Sequence, residues 1–214
     1  MRHWEAILLA AGASSRMGRP KALLAWSGRS LVAHQLAELL ATRVRRAVLV
    51  LGAKADLIAK DPEVRRLVGA GRADVVENAR WAEGKCGSIR LGARALSPSA
   101  TDVVLLAVDQ PTAAEVLEAL MGEHERLGSA CSVPLHGGRR GHPVLLAARL
   151  RERLEALREE EMGLRALLGQ LDAAGELREL PVRAPCVRWD LNRPEDLPAA
   201  AGETQRQDNP RSKM

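Results

Sequence analysis

The chain has 214 residues, of which 46% are hydrophobic and 28% charged, and its formal net charge is +5. This length suits one large domain, and the composition is that of a globular protein, which excludes a disordered or fibrous chain. Phenylalanine and tyrosine are absent and no dense basic run occurs, so we expect no nucleic-acid partner.

No apolar stretch approaches the roughly 18 residues of a membrane helix, and the apolar segment 6–11 is too short for a signal peptide. The three cysteines, Cys86, Cys131 and Cys186, are far apart and show no zinc spacing or paired redox motif. These features predict a cytoplasmic protein without a membrane partner. Scattered arginines are typical of a solvated surface, with anionic phosphate ligands as the alternative interpretation.

Short apolar runs alternate with amphipathic ones along the chain. A strand is predicted at 6–10, followed by a Gly/Ser loop and a helix at 30–42. Further strands are predicted at 47–51, 73–76 and 102–108. The last of these is nearly continuous aliphatic sequence, as expected of a central parallel strand that is buried on both faces.

The second half of the chain is predicted to continue the alternation. Thr112 and Glu115 form a capping-box pattern that predicts a helix. Five apolar residues of this helix are predicted to face inward: Val116, Leu117, Leu120, Met121 and Leu127. The later predicted elements are a strand pair at 130–134 and 142–146 around Gly137–Gly138, helices at about 149–160 and 163–171, a strand near Val187 and a short helix from Pro194.

Strands that alternate with helices indicate an α/β fold with a mostly parallel central sheet. We therefore predict one doubly wound, three-layer domain over residues 1–201. Residues 202–214 are polar and aperiodic and are predicted to form a disordered tail.

The most specific local pattern is the loop after the first strand, residues 9–21, LAAGASSRMGRPK. A loop at the carboxyl end of a strand is where open α/β sheets bind ligands, and its amides can cradle an anion. Ser14 can donate to phosphate oxygens, while Arg16 and Lys21 add positive charge. The pattern is neither a Walker A loop nor a dinucleotide fingerprint, and the alternative is a flexible turn with chance basic residues.

Two aspartates stand at the ends of predicted elements. Asp109 ends the most hydrophobic strand, and Asp190 lies before a predicted helix start. A carboxylate beside an apolar strand needs a cation or strong donors, and Mg²⁺ takes one or two carboxylates plus phosphate oxygens. Each residue alone is equally well explained as a helix N-cap.

Five ordered segments resemble the MobA-like nucleotidyltransferase family, and together they span about residues 5 to 200. The first loop matches its L-A-A-G-x-S-x-R-M-G-x-x-K signature at every specified position. The others resemble D-x-P from Asp109, D-x-[DN]-x-P-E-D-L from Asp190, N-x-x-W-x-x-G-x-x-x-S from Asn78 and G-x-R-G-H-P from Gly138. The last is typical of the molybdenum cofactor cytidylyltransferase branch.

The resemblance implies the nucleotide-diphospho-sugar transferase fold and a set of site residues. It implies that Asp109 and Asp190 hold Mg²⁺ and that Arg16, Lys21 and Asp109 are catalytic, whereas Asn192 is not assigned to the metal. The implied nucleotide-binding residues are Leu9, Ala10, Ala11, Gly12, Ser14, Arg16, Lys21, Asn78, Ser88 and Asp109. The implied acceptor-binding residues are Gly84, Arg140, Gly141, His142 and Pro143.

The resemblance further implies transfer of CMP from CTP to molybdopterin that carries molybdenum, giving molybdopterin cytosine dinucleotide and pyrophosphate. Ala11 favours CTP, because the guanylyltransferase branch usually carries glycine at this position. A phosphomonoester has a second pKa near 6, so the acceptor phosphate needs no general base.

Several alternatives stay open at this point. The chain could use GTP, transfer to a sugar phosphate, act as an NAD(P)H-dependent oxidoreductase, or carry the cofactor to an apo-molybdoenzyme. Taken singly, three side chains also have simpler explanations. His142 is also explained as a strand residue with a satisfied ring, Trp81 as a packing anchor and Cys86 as an unreactive small side chain.

Overall fold

In a computed structural model, residues 2–193 and 195–196 are described. Within these residues an eight-stranded sheet has the order β10-β7-β9-β6-β1-β4-β5, with β8 paired to β7. A separate hairpin is formed by β2 and β3. The strands are β1 Trp4–Ala10, β2 Ala25–Trp26, β3 Arg29–Ser30, β4 Val44–Leu51, β5 Ala73–Glu77, β6 Asp102–Ala107, β7 Cys131–His136, β8 Arg139–Arg140, β9 Val144–Ala147 and β10 Leu177–Pro181.

The sheet is mostly parallel. β1 pairs in parallel with β4 and β6, β4 with β5, and β10 with β7. β9 runs antiparallel between β6 and β7, and β8 is antiparallel to β7. The carboxyl ends of β1, β4 and β6 therefore meet at one edge, which is where a doubly wound sheet binds its ligands.

Helices cover both faces of the sheet. Their bounds are α1 Leu31–Leu40, α2 Ala55–Ile58, α3 Pro62–Gly69, α4 Lys85–Ala95, α5 Ala114–Leu127, α6 Arg151–Glu155 and α7 Gly163–Ala173. Leu8 of β1 packs in one apolar cluster with residues of α1, α3 and α5. Ile7 packs in a second cluster with residues of α4, α6 and α7. Successive strand residues thus point to opposite layers, and the predicted three-layer arrangement is confirmed.

The predicted strands of the first half are confirmed within a few residues, and so are α1 and α7. The strand predicted near Val187 is wrong, because Val187 lies in a 3-10 turn at Pro185–Arg188 and the last described strand is β10. The helix predicted at 149–160 is reduced to a turn and α6. Its second half is a loop that reaches across to α4.

The predicted capping box is also wrong. The N-cap of α5 is Ala113, which makes no side-chain cap, and the Thr112 hydroxyl donates instead to the Gln110 carbonyl. Glu38 supplies the missing acceptor, because its carboxylate receives the amide of Ala114 at 2.7 Å. A partner from α1 has replaced the local cap. Of the five predicted inward residues, Leu127 is 41% exposed.

Three helices escaped prediction for physical reasons. α2 has only four residues, too few for a periodic pattern. α3 carried a readable signal, since Asp61 caps it and Pro62 is its first residue. α4 contains Gly87 and Gly92, which weaken helix propensity. Gly92 is needed there, because an added Cβ would lie 3.2 Å from Val50 and closer still to Ile7.

Two expectations lie outside the described residues. They are the short helix from Pro194, of which only residues 195–196 are described, and the disordered tail at 202–214. Among the helices that the structure does describe, none combines the length and the apolar character needed to span a bilayer.

Candidate functional site

A cavity of about 350 Å³ opens at the carboxyl ends of β1 and β6. The loop after β1 forms one side, and the segment that leads into α4 forms the other. Most of the predicted nucleotide-binding residues line this nucleotide cavity, namely Leu9, Ala10, Ala11, Gly12, Ser14, Lys21, Ser88 and Asp109. Gly84, predicted on the acceptor side, lines it as well. Trp81 forms part of its wall and is half-buried.

The loop after β1 folds back on itself so that Lys21 returns to the cavity. Ser14 has a left-handed backbone with φ of 56°, and its Oγ accepts a hydrogen bond from the Lys21 amide at 2.9 Å. A hydroxyl that accepts in this way still has its own proton to donate. Ser14 therefore shapes the loop and keeps a donor available. Arg16 lies in the turn Ser15–Met17, and the position of its side chain is outside the described structure.

The ammonium group of Lys21 links Asp109 to the segment that contains Asp190 and Asn192. Lys21 Nζ donates to Asp109 Oδ2 and to Asn192 Oδ1, both at 2.9 Å. The Lys21 and Asp109 side chains are only 12% and 18% exposed. A half-buried charge pair of this kind is stronger than a surface pair, because less water screens it.

The Asp190 segment is fixed beside Asp109 by the backbone. The Leu191 amide donates to the Asp109 carbonyl at 2.8 Å. Burial lowers the pKa of His142, while the charges of Asp190 and Asp109 act on the same ring in the opposite direction. The sum keeps His142 neutral at pH 7. Both carboxylates therefore lie within electrostatic reach of one imidazole.

These oxygens have the chemistry of a site for a hard divalent cation. A carboxylate and an amide oxygen already converge on one cationic group, and a second carboxylate stands two residues from Asn192. Among the described residues, no group of three or more His, Cys, Asp or Glu side chains could hold a metal. An ion here would need two carboxylates plus oxygens from phosphate or water, which is the coordination that Mg²⁺ prefers. The residues fit the ion.

A second cavity, also of about 350 Å³, adjoins the first. The two cavities share Leu9, Lys85 and Ala107. Its walls are mainly aliphatic, and its polar or charged residues are Lys85, Gln110, His142, Glu159 and Arg165. Apolar walls with a few placed polar groups are typical of sites for ring-containing small molecules. His142, which is predicted to bind the acceptor, lines this second cavity.

Five predicted site residues whose side chains are described line neither cavity, namely Asn78, Arg140, Gly141, Pro143 and Asp190. The Asn78 amide is buried and donates to Ser88 Oγ at 3.0 Å, so Asn78 supports a cavity residue from behind. Arg140 is exposed and pairs with Asp172 and Glu179 on the sheet surface. Gly141 and Pro143 flank His142, which does line the second cavity, and the peptide bond between His142 and Pro143 is cis.

Gly141 has a packing role that can be tested. An added Cβ would overlap the carbonyl oxygen of Val187, which also accepts the His142 amide at 2.7 Å. We expect Gly141→Ala to lower the free energy of unfolding by about 1–3 kcal/mol, measured by urea denaturation.

Gly122→Ala is the matched control, because nothing lies within 4 Å of its Cβ position in α5. Removing a helical glycine there should stabilise the protein by up to about 1 kcal/mol. Equal stabilities of the Gly141 variant and the wild type would show that the Val187 contact imposes no constraint.

Two functional residues were missed from the sequence. Lys85 lines both cavities, yet a single lysine after a glycine carries no distinctive pattern. Asn192 is not assigned to the metal by the sequence, and its contact with Lys21 across the site could not be read from the D-x-N spacing. Cys86 agrees with the simpler interpretation, since it is buried and its pKa is raised to about 11 by burial and by the neighbouring Glu159.

The chain is similar to known proteins over most of its length. The profile of the MobA-like NTP transferase domain matches residues 6–174. Nicotine blue oxidoreductase of Paenarthrobacter nicotinovorans is 32% identical over 171 residues, which cover 77% of this chain and 80% of the relative.

Two solved structures share the fold at lower identity. The Rv0371C complex with manganese from Mycobacterium tuberculosis has a TM-score of 0.71 at 23% identity and covers 94% of this chain and 98% of its own. Molybdopterin-guanine dinucleotide biosynthesis protein A from Archaeoglobus fulgidus has a TM-score of 0.63 at 20% identity, with coverage of 94% and 99%.

Proposed function

The chain belongs to the MobA-like NTP transferase family and is a nucleotidyltransferase, and from this premise we propose that it transfers CMP from CTP to molybdopterin carrying molybdenum. The products are molybdopterin cytosine dinucleotide and pyrophosphate. The proposal rests on two adjoining cavities that share Leu9, Lys85 and Ala107, with Asp109 and Lys21 in the wall of the first. One cavity for each substrate is the arrangement that direct group transfer requires.

The proposed step is an in-line displacement at phosphorus. A phosphate oxygen of the acceptor forms a bond to the α-phosphorus of CTP, and the bond from that phosphorus to the bridging oxygen of the β-phosphate breaks. The electron pair leaves with pyrophosphate. Lys21 supplies positive charge to the triphosphate, and the amides of the loop after β1 donate to its oxygens. His142 is neutral and is positioned to hydrogen-bond the acceptor.

Asp109 and Asp190 are the residues proposed to hold Mg²⁺. The ion would neutralise charge that develops on the phosphate oxygens. The manganese bound by the Mycobacterium tuberculosis neighbour supports a divalent ion at this fold. In this chain, the oxygen ligands and their position beside Lys21 favour the same conclusion. We expect chelation of the divalent ion to abolish turnover and added Mg²⁺ to restore it.

Ala11 supports CTP over GTP through its resemblance to the cytidylyltransferase branch, and it lines the nucleotide cavity. The molybdopterin acceptor is supported by the Gly138–Pro143 resemblance and by the aliphatic second cavity. The name of the Archaeoglobus fulgidus neighbour shows that a protein of this fold serves molybdopterin chemistry. The guanylyl and sugar-phosphate alternatives remain within the same reaction type.

One experiment identifies both the nucleotide and the acceptor. The protein is incubated with each Mg²⁺-NTP and with molybdenum-loaded molybdopterin, and the dinucleotide product is identified by mass spectrometry. We expect a cytosine dinucleotide, formed with CTP at least about 10²-fold faster than the guanine product forms with GTP. A guanine dinucleotide as the main product would show that the chain is a guanylyltransferase. A nucleotidylated sugar phosphate as the preferred product would contradict the proposed molybdopterin acceptor.

The nicotine blue oxidoreductase relative supports a second candidate, NAD(P)H-dependent reduction of a small aromatic pigment. The aliphatic second cavity would accept such a ring, but residues 9–21 lack the dinucleotide fingerprint. NADPH or NADH consumption with a quinone-type pigment is measured on the same preparation. We expect none, and steady consumption would establish the second candidate. A carrier role toward an apo-molybdoenzyme is compatible with the transferase, and a pull-down with an inactive Asp109 variant tests it.

A further inference from the structure

Glu159 joins the far wall of the second cavity to the segment that borders both cavities. It belongs to the 158–163 loop, which precedes α7 and includes its first residue, Gly163; residues 158–160 fall in the stretch predicted as helix. Its Oε2 accepts the amide of Cys86 at 2.9 Å. The two residues are 73 positions apart in sequence, so this bond is a tertiary contact between two walls.

The Glu159 carboxylate lies at the amino end of α4. α4 begins at Lys85, and the first amides of a helix have no partner within the helix. Hydrogen bonds from the Cys86 thiol and from the Cys86 amide lower the pKa of Glu159. A negative charge at this end also complements the helix dipole. The contact is therefore a charge-assisted hydrogen bond at neutral pH.

Two glycines make room for the contact. An added Cβ at Gly84, where φ is +116°, would run into the Glu159 side chain. Gly163 has φ of +52°, and its missing side chain leaves space for Cys86 Sγ. Cys86 is thereby enclosed between Glu159 and Gly163. Each of the two segments therefore has a glycine with positive φ where they meet, and we call this contact region the junction.

The junction bears on the site through its neighbours. Lys85 follows Gly84 directly and lines both cavities, while Met162 and Gly163 line only the second. Met162 is 67% exposed, so the 158–163 loop gains little from burial and depends on its anchor. Loss of the anchor would loosen the wall of the second cavity and leave the loop after β1 intact.

We propose that Glu159 is a positioning residue that holds the 158–163 loop against the start of α4 and so shapes the acceptor side of the site. This inference rests on the proposed function, because it assigns the second cavity to the acceptor. It predicts a larger effect on the acceptor than on the nucleotide. Glu159 does not line the nucleotide cavity, whose opposite side is formed by the loop after β1.

The test compares Glu159→Ala and Glu159→Gln with Glu161→Gln, an exposed glutamate of the same loop that lines neither cavity. In Glu159→Ala we expect the KM for the acceptor to rise about tenfold, as for loss of one charge-assisted hydrogen bond. The Kd for Mg²⁺-CTP should stay within about twofold of the wild type, because Glu159 does not line the nucleotide cavity and the loop after β1 is unchanged. The glutamine of Glu159→Gln keeps an oxygen that can accept the Cys86 amide. Its KM for the acceptor substrate should therefore lie between those of the wild type and Glu159→Ala.

A second readout needs no turnover. Cys86 is labelled with iodoacetamide at pH 7.5 and quantified by mass spectrometry, with Cys131 as the internal reference. The Cys86 thiol is protected by burial and by Glu159, so labelling should accelerate at least about fivefold in Glu159→Ala and stay unchanged in Glu161→Gln.

Four outcomes decide the matter. Faster labelling with a raised acceptor KM supports the proposal. Faster labelling with an unchanged KM overturns it, since the contact would then be purely structural, and equal loss of nucleotide and acceptor binding also overturns it. A wild type that binds CTP but transfers nothing would remove the proposed function, and with it the acceptor role, while the labelling rates would still show whether Glu159 anchors the loop.

Discussion

Replacement of Asp109 by asparagine is expected to lower kcat on the order of 10³-fold, with the fold intact. Asparagine keeps the shape of the side chain but removes its charge. The change deletes the carboxylate proposed to hold the divalent ion and also breaks the 2.9 Å pair with Lys21. Steady-state kinetics at saturating Mg²⁺ measure the loss, and circular dichroism with urea denaturation checks the fold.

Asp74→Asn is the matched control for this prediction. Asp74 lies near the amino end of β5, away from the cavities, where it pairs with Arg46. The control should keep turnover within about twofold of the wild type, because surface pairs contribute little. Near-normal rates of the Asp109 variant in saturating Mg²⁺ would remove Asp109 from the metal site, and an unfolded variant would call for Asp109→Glu with the same kinetic readout.

The second large effect is expected for Lys21→Met. Methionine matches the length of the lysine stem without the ammonium group, so the loop keeps its bulk but loses its charge on the triphosphate. We expect kcat/KM for CTP to fall about 10²- to 10³-fold, with part of the loss in nucleotide affinity. Calorimetric titration with Mg²⁺-CTP, together with initial rates, separates the two contributions.

Lys60→Met serves as the control, because Lys60 is exposed and lines neither cavity. Its nucleotide affinity should match that of the wild type. Lys21→Arg adds a geometric test, since a guanidinium keeps the charge but not the compact ammonium that contacts Asp109 and Asn192 together. A fully active Lys21→Met protein would show that the loop after β1 binds phosphate through its amides alone.

Asn192 positions Lys21, which gives the segment from Asp190 to Asp196 a role besides metal binding. Its amide oxygen and the Asp109 carboxylate hold the same ammonium, so Asn192 fixes where Lys21 lies whether or not it contacts a metal. An amide serves this purpose without adding a third charge beside Asp109 and Asp190. Repulsion among three neighbouring carboxylates would destabilise this segment when no cation is bound.

Much of the site was predictable from local sequence. The strands of the first half, the loop after β1 and the position of Asp109 all follow from patterns within a few residues, namely apolar runs, glycines and a charge at a strand end. Such patterns are local because strand burial and loop conformation are set by neighbouring residues. The family resemblance extended this to Asp190 and His142 through motifs that are equally short.

The tertiary structure alone decided what those motifs contact. Lys21 meets Asn192 across 171 positions, and Glu159 meets Cys86 across 73. Arg140 and Asn78, both plausible ligands by sequence, are satisfied by Asp172, Glu179 and Ser88 instead. Strand β10 escaped prediction because an edge strand with exposed Arg178 and Glu179 has little apolar pattern. Periodicity records which face of an element is buried, whereas the partner of a polar group depends on how distant elements pack, and that information is not local.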